Sequence, residues 1–228
     1  MSFDNRFLAL RLEGPLQSWG FDSQYNRRNT GLMPTKSAIA GMCCAALGYT
    51  RGGDNEGTFL SMFNKIRMTA IAIPRNGLKK VFPVRRVQDY HTVQNTRTAN
   101  GKNKDCHITH RQYLTDAAFG ILLVGDATHL VEIATALADP IWGIWLGRKS
   151  CIPSAPVLAG LKDNHEDALH LLIGEKPLEA FTRQEEVENF ADGRDSLPDI
   201  ALSFSIERRQ FSPRRVRTYQ GKTSQSGL

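Results

Sequence analysis

No uninterrupted apolar run in the chain approaches the roughly 20 residues that a membrane helix needs. The first residues lack the basic-then-apolar order of a secretory signal. Both absences predict a cytoplasmic protein with no membrane partner. Cysteine is also scarce: Cys43, Cys44, Cys106 and Cys151 form no CxxC pair, so a disulfide framework is not indicated. A G-x-S-x-G elbow, a Walker A loop and a dinucleotide G-x-G-x-x-G are all missing, which removes support from hydrolase, NTPase and Rossmann readings. There is no internal repeat and no low-complexity tract. What remains is an ordinary globular composition, 41% apolar over 228 residues, enough to bury a real core in one large domain or two small ones.

Charge is the first positive signal. The net charge of +6 is sorted along the chain: residues 1–51 carry +3, 52–74 carry 0, 75–111 carry +7, 112–206 carry −9 and 207–228 carry +5. Blocks of one sign are the footprint of a polyanionic partner, most often nucleic acid.

Periodicity orders the elements. Residues 7–12 alternate as a half-buried strand that Gly14-Pro15 stops. Pro34 suits the first turn of a helix in which Ile39, Met42, Cys43, Ala46 and Leu47 share a face until Gly48 caps the end. Residues 52–64 read as a loop, followed by a short helix around Phe59 to Lys65. Ile66 to Pro74 is a strand, and Asn76-Gly77 signals a hairpin into Val81–Val84. From Arg85 to Arg111 the periodicity fails, which predicts either a long functional loop or an extended hairpin arm. Tyr113 to Val124 reads as a central strand, and Thr128 caps a helix through Ala138 that Asp139-Pro140 ends. Leu146 to Cys151 is a basic turn, and Pro153 and Pro156 keep the next stretch extended. Residues 163–199 are the least regular, with a helical turn or two at 166–173 and polar surface at 184–189. Ile200–Ile206 is a last strand before a basic tail, Arg208–Arg217. Two strand–helix–strand units predict an α+β, modified ferredoxin-like (RRM-like) domain with a long insertion and an irregular C-terminal region.

Several residues could carry chemistry. Arg27, Arg28 and Lys36 surround a helix start, where free N–H groups and the macrodipole favour an anion; a phosphate site and plain solvated charges are both compatible with that. The 85–111 stretch interleaves Arg85, Arg86, Arg97, Lys102, Lys104 and Arg111 with Tyr90 and His91, combining cations for phosphates with rings for bases. Cys106, His107, His110 and His91 match no standard metal spacing, so no metal and no cofactor are expected. Tyr90, His91, Lys104, His107 and His110 are the residue types of a metal-independent ribonuclease, without geometry to assemble them. Trp19, just after a strand, is more often core than a stacking platform.

Five segments, residues 10–20, Pro34-Thr-Lys-Ser37, Asp89-Tyr-His-Thr-Val93, Arg111–Phe119 and Leu146-Gly-Arg-Lys-Ser-Cys151, together with Arg209-Gln210-Phe211, resemble the CasD family of the type I-E CRISPR Cascade complex, a branch of the repeat-associated RNA-binding superfamily. The resemblance implies a single RNA-binding domain over residues 1–228, a thumb-like insertion at about 83–111 and a less regular part at about 142–228. It implies a non-catalytic subunit that holds the 5′ handle of the CRISPR RNA and caps the backbone. Implied partners are the backbone subunit CasC, the large subunit CasA and, through the complex, target DNA. A related type I-C branch cuts precursor RNA, which makes endoribonuclease activity the alternative. The RNA contacts expected on this likeness are Arg27, Arg28, Lys36, Arg85, Arg86, Tyr90, His91, Arg97, Arg111, Arg148, Lys149 and Ser150. The basic tail exceeds the family's expected charge.

Overall fold

The computed structural model describes residues 5–20, 22–23, 25–76, 81–82, 84–98 and 100–221. Its framework is four antiparallel strands: β1 (Asn5–Gln17), β3 (Arg67–Ile73), β7 (Asn103–Asp126) and β8 (Leu158–Lys162). They lie in the order β3-β7-β1-β8. Between β1 and β3 run α1 (Lys36–Ala46) and α2 (Asp54–Phe63), and between β7 and β8 runs α3 (Ala127–Ala138). A βαββαβ chain with the second strand beside the third, the first and then the fourth is the ferredoxin-like arrangement expected from the sequence.

The pattern of β1 explains the layering. Leu8, Leu10 and Leu12 are buried against α1, α2 and α3, while Ala9, on the other face, packs with Ile71, Leu122 and α4 (His165–Ile173). Helix α1 stops as read, with Gly48 taking the left-handed φ of +71° beyond its end, but it starts later: Thr35 is the N-cap and Pro34 precedes it, outside the first turn. At α3 the cap is Asp126, whose Oδ1 accepts hydrogen bonds from the Thr128 and His129 amides, and not Thr128.

Gly14-Pro15 does not stop the first strand. β1 continues to Gln17, with Gly14 and Leu16 paired to Ala117 and Thr115 on either side of Pro15. A side chain at Gly14 would sit 2.8 Å from the Ile152 carbonyl oxygen, so glycine here permits close packing and is no terminator. The flanks of the 76–77 signal pair as β4 (Arg75–Asn76) and β5 (Val81–Phe82); Gly77 lies outside the described residues. The 85–111 stretch is a hairpin arm: β6 (Arg85–Arg97) pairs along the first half of β7. Its periodicity is weak because neither face of the arm has a core to bury against.

The second half departs most from expectation. The segment read as polar surface contains β9 (Arg183–Glu186), and the basic tail is β11 (Gln210–Tyr219); with β10 (Asp195–Ser203) they extend the sheet beyond β3 in the order β3-β9-β11-β10. Arg214 of β11 is 2% exposed and clasps Asp199 with both Nε and Nη2, at 2.9 and 2.8 Å. Glu186 of β9 accepts from Lys36 Nζ at 2.8 and 2.9 Å and from the Met68 amide at 3.1 Å. The buried Asp199 and the half-buried Glu186 thus balance two buried cations within one cluster. Arg215 and Arg217 donate to the carbonyls of Phe190, Gly193 and Asp192, so these tail arginines are tied back onto the protein.

Candidate nucleic-acid interface

The start of α1 is a filled anion site. The Lys36 amide, in its first turn, donates to Asp199 Oδ2 at 2.9 Å, so the chain's own carboxylate occupies the place proposed for a phosphate. The Lys36 side chain is 1% exposed and held by Glu186 and the Asn64 carbonyl. Burial lowers its pKa below the usual lysine value, and Glu186 only partly offsets that. Contrary to the expectation, Lys36 is no RNA contact: its buried ammonium is held by Glu186 and Asn64. Trp19 is core as well, fully buried, edge-on to Phe119 and donating from Nε1 to Gln17 Oε1.

On the outer side of the same helix lies a cleft of about 600 Å³. Its floor is the small-residue face of α1, where Ser37, Ala38, Gly41 and Ala45 recur at helical spacing. Its walls are the loop after β1, the 142–149 turn and the 204–211 connection. Arg28, Arg51, Arg148, Lys149 and Arg209 line it, and among the described lining residues there is no carboxylate. Concave, low-dielectric walls of one sign focus the field on an anionic ligand. Aromatic rings complete the lining: Trp142 and Phe211 remain 41% and 42% exposed, and Lys149 Nζ stands 5.9 Å over the Trp145 ring. Tyr49 Oη donates to Glu132, and burial followed by that carboxylate raises its pKa, which keeps the phenol neutral.

The 146–151 turn is stitched in place locally. Ser18 N donates to the Leu146 carbonyl, Leu146 N to Cys151 O and Cys151 N to Arg148 O. Gly147 has φ +100°, and a Cβ there would fall 1.8 Å from Ser18 O, so only glycine allows this approach. Arg148 then reaches sideways, its Nη1 and Nη2 donating to the carbonyls of Gln112 and Arg28 at 2.8 and 2.7 Å while its guanidinium covers the Tyr113 ring. Ser150 is exposed on the same turn but does not line the cleft.

The remaining expected contacts do not share one surface. Arg27 and Arg28 form β2, parallel to β7 opposite His110 and Arg111. Strand alternation puts Arg85, His91 and Arg111 on one face of the arm and Arg86, Tyr90 and His110 on the other. Arg28 and Arg111 adjoin the cleft side of β7, where Tyr113 carries Arg148; Tyr90 is 61% exposed on the opposite face, edge-on to His110. Arg97 lies past Asn95, whose φ of +53° interrupts the alternation. The same alternation separates Cys106 from His107 and Tyr90 from His91, and His91 Nδ1 lies 3.6 Å from Asp89 Oδ2. Among the described residues no three His, Cys, Asp or Glu side chains gather as a metal-ligand set. The Lys104 side chain is outside the described residues.

The cations and rings of the cleft that the expected RNA contacts left out include Tyr49, Arg51, Trp142, Trp145, Phe204, Arg209 and Phe211. Tyr49, Arg51, Trp142 and Phe204 lie among loop residues, where the local hint is an aromatic beside a turn, Tyr49 after Gly48 and Trp142 after Pro140.

Comparison with known proteins gives the family. The model of the family described as CRISPR-associated protein (Cas_Cas5) matches residues 7–217. The chain is 31% identical over 159 residues to the CRISPR system Cascade subunit CasD of Escherichia coli (strain K12), covering 68% of this chain and 70% of that protein. A chain of a solved CRISPR RNA-guided surveillance complex superposes with a TM-score of 0.73 at 28% identity, covering 94% of this chain and 90% of that one. A second solved structure, a Cas protein, gives 0.64 at 29% identity, covering 95% and 98%. The protein belongs to the Cas5 family of CRISPR-associated proteins.

Proposed function

We propose that this protein is the subunit of a type I-E Cascade surveillance complex that holds the repeat-derived 5′ handle of the CRISPR RNA. The observation that carries this reading is the 600 Å³ cleft, with five cations, exposed aromatic rings and no described carboxylate in its lining. Such a lining suits single-stranded RNA, with phosphates on the cations and bases on the rings. Arg28, Arg51, Lys149 and Arg209 supply phosphate contacts, and Arg27 and Arg111 continue the basic track onto the arm. The arm, roughly residues 83–111, projects on the order of 35 Å if its 103–113 strand is extended. It reaches the adjoining backbone subunit CasC, the large subunit CasA packs nearby, and target DNA is met only through the complex. The protein grips its RNA without cutting it, in the cytoplasm. Tyr90, His91, His107 and His110 do not line the cleft, which supports holding over cleavage there.

The test is RNA affinity against salt. With four or five phosphates neutralised, log affinity falls against log salt with a slope between about −2.8 and −3.5, and Arg28→Ala with Arg209→Ala makes it shallower by about 1.4. Salt-independent binding, or equal affinity for unrelated RNAs, refutes the reading. Incubation with repeat RNA in EDTA leaves the RNA intact; specific cleavage abolished by His91→Ala would establish the nuclease alternative.

A further inference from the structure

Resting on the RNA-holding reading, we infer that Arg148 is a positioning residue: it clamps the two-residue strand β2 onto β7 and so aims Arg28 into the cleft, and it makes no phosphate contact itself. The sequence presents Arg148 and Lys149 as twin cations of one turn, yet the structure treats them differently. Lys149 is exposed with its ammonium directed over a ring. Arg148 is half-buried and its two terminal nitrogens are engaged by carbonyls from two different strands, Gln112 in β7 and Arg28 in β2. The flat side of its guanidinium rests on Tyr113, with 4.6 Å from Cζ to the ring centroid.

The need for a clamp follows from how little holds the two residues of β2 themselves; the chain is anchored again only beyond them, where the buried Thr30 accepts from the Trp19 amide and the Gly31 amide donates to the Trp19 carbonyl. Its ladder consists of two residue pairs, Arg27 with His110 and Arg28 with Arg111, joined by one flanking bond from the His110 amide to the Asn26 carbonyl. Both β2 side chains are cationic and exposed, so no apolar burial anchors the strand. It is also a parallel pairing, the less stable kind, and a strand this short is marginal. Arg148 adds two charge-assisted bonds at the end nearest the cleft, at 2.8 and 2.7 Å. The backbone that Arg148 grips is that of Arg28, whose side chain lines the cleft. Thermal wandering of β2 would spread that cation over many positions, and the clamp confines it.

Only arginine fits this role. A planar fork can address two divergent carbonyls while stacking on a ring, whereas a lysine ammonium acts as a single point charge that serves phosphate equally well. That difference separates positioning from direct contact. Arg148→Lys retains the charge. If Arg148 positions, Arg148→Lys loses RNA affinity about as far as Arg148→Ala, roughly tenfold, because two charge-assisted bonds are lost or weakened.

The experiment measures each variant's affinity for a labelled single-stranded RNA carrying the repeat-derived 5′ end of the guide. Amide hydrogen exchange at residues 26–28 and 110 is followed in the same proteins without RNA. Expected are faster exchange at those amides in Arg148→Lys and Arg148→Ala, unchanged thermal unfolding, and no further loss when Arg28→Ala is added to Arg148→Ala. Affinity of Arg148→Lys close to that of the unaltered protein overturns the proposal, as does lost affinity with unchanged exchange. If Arg148→Ala does not fold, Arg148→Lys, which keeps an aliphatic stem over Tyr113, decides alone. If the unaltered protein binds no such RNA while exchange still rises, the functional reading falls and the clamp stands as a structural device.

Discussion

Arg28 and Arg214 are the same side chain in opposite circumstances. Arg28 stands in a two-residue strand, exposed, lining a cleft where no described carboxylate competes for it. Arg214 sits in a ten-residue strand between β9 and β10, almost wholly buried, clasped by Asp199 with Glu186 3.8 Å away. A count of charges along the chain scores them equally, but only the first is available to a polyanion. The difference lies in the acids that fold beside them: β9 and β10 bring Glu186 and Asp199 onto Arg214, and the 142–149 turn brings only further cations to Arg28.

The largest expected effect breaks the buried side of this contrast. Asp199→Ala leaves Arg214 without its bidentate partner and the start of α1 without its anion, so stability in urea falls by about 3–5 kcal/mol, with RNA affinity of the folded fraction preserved. A loss below about 1 kcal/mol would show that the cluster is not desolvated as described. A smaller effect comes from Lys36. Its pKa in the folded protein is lowered, so between that value and 10.5 the unfolded chain holds the extra proton and stability rises with pH. The stability difference between the natural protein and Lys36→Met, followed by urea denaturation on the alkaline side, therefore grows in favour of the natural protein; a flat difference contradicts the burial. The smallest effect concerns thiols. Cys43, Cys44 and Cys151 are buried, and burial raises each pKa, that of Cys44 up to about 12. Cys106 is exposed on the arm. A thiol reagent at neutral pH modifies Cys106 alone and reaches the other three only on unfolding, without reducing RNA affinity.

These contrasts mark where the sequence was readable. α1, α3, β3 and the centre of β7 were legible because each buries one face and shows its period. β9, Arg-Gln-Glu-Glu, carries no apolar residue, and its strand character comes from pairing with β3 and β11. β11 looked like a solvated tail because Arg214's partner lies 15 residues away in β10, a separation no local pattern reports. The hairpin arm lacked a period because both its faces are open. At the cleft, Arg28, Arg148 and Lys149 stood out as basic loop residues, and Lys36 did too, wrongly, since Glu186 is 150 positions away in sequence. Tyr49, Arg51 and Phe204 became neighbours only through tertiary folding. Phe204 in particular is set by Glu56, whose carboxylate accepts from its amide and from that of Gly52.

The walls of the cleft also impose an order in time. Its lining is drawn from residues 18–51, then 142–149, then 204–211, and the Lys36 side chain is neutralised only when β9 arrives. A nascent chain that has left the ribosome as far as α3 has its central strands but neither the far wall nor the acids that neutralise Lys36. If the cleft is the RNA site proposed above, synthesis delays capture: the cleft is complete only after the last strands have docked.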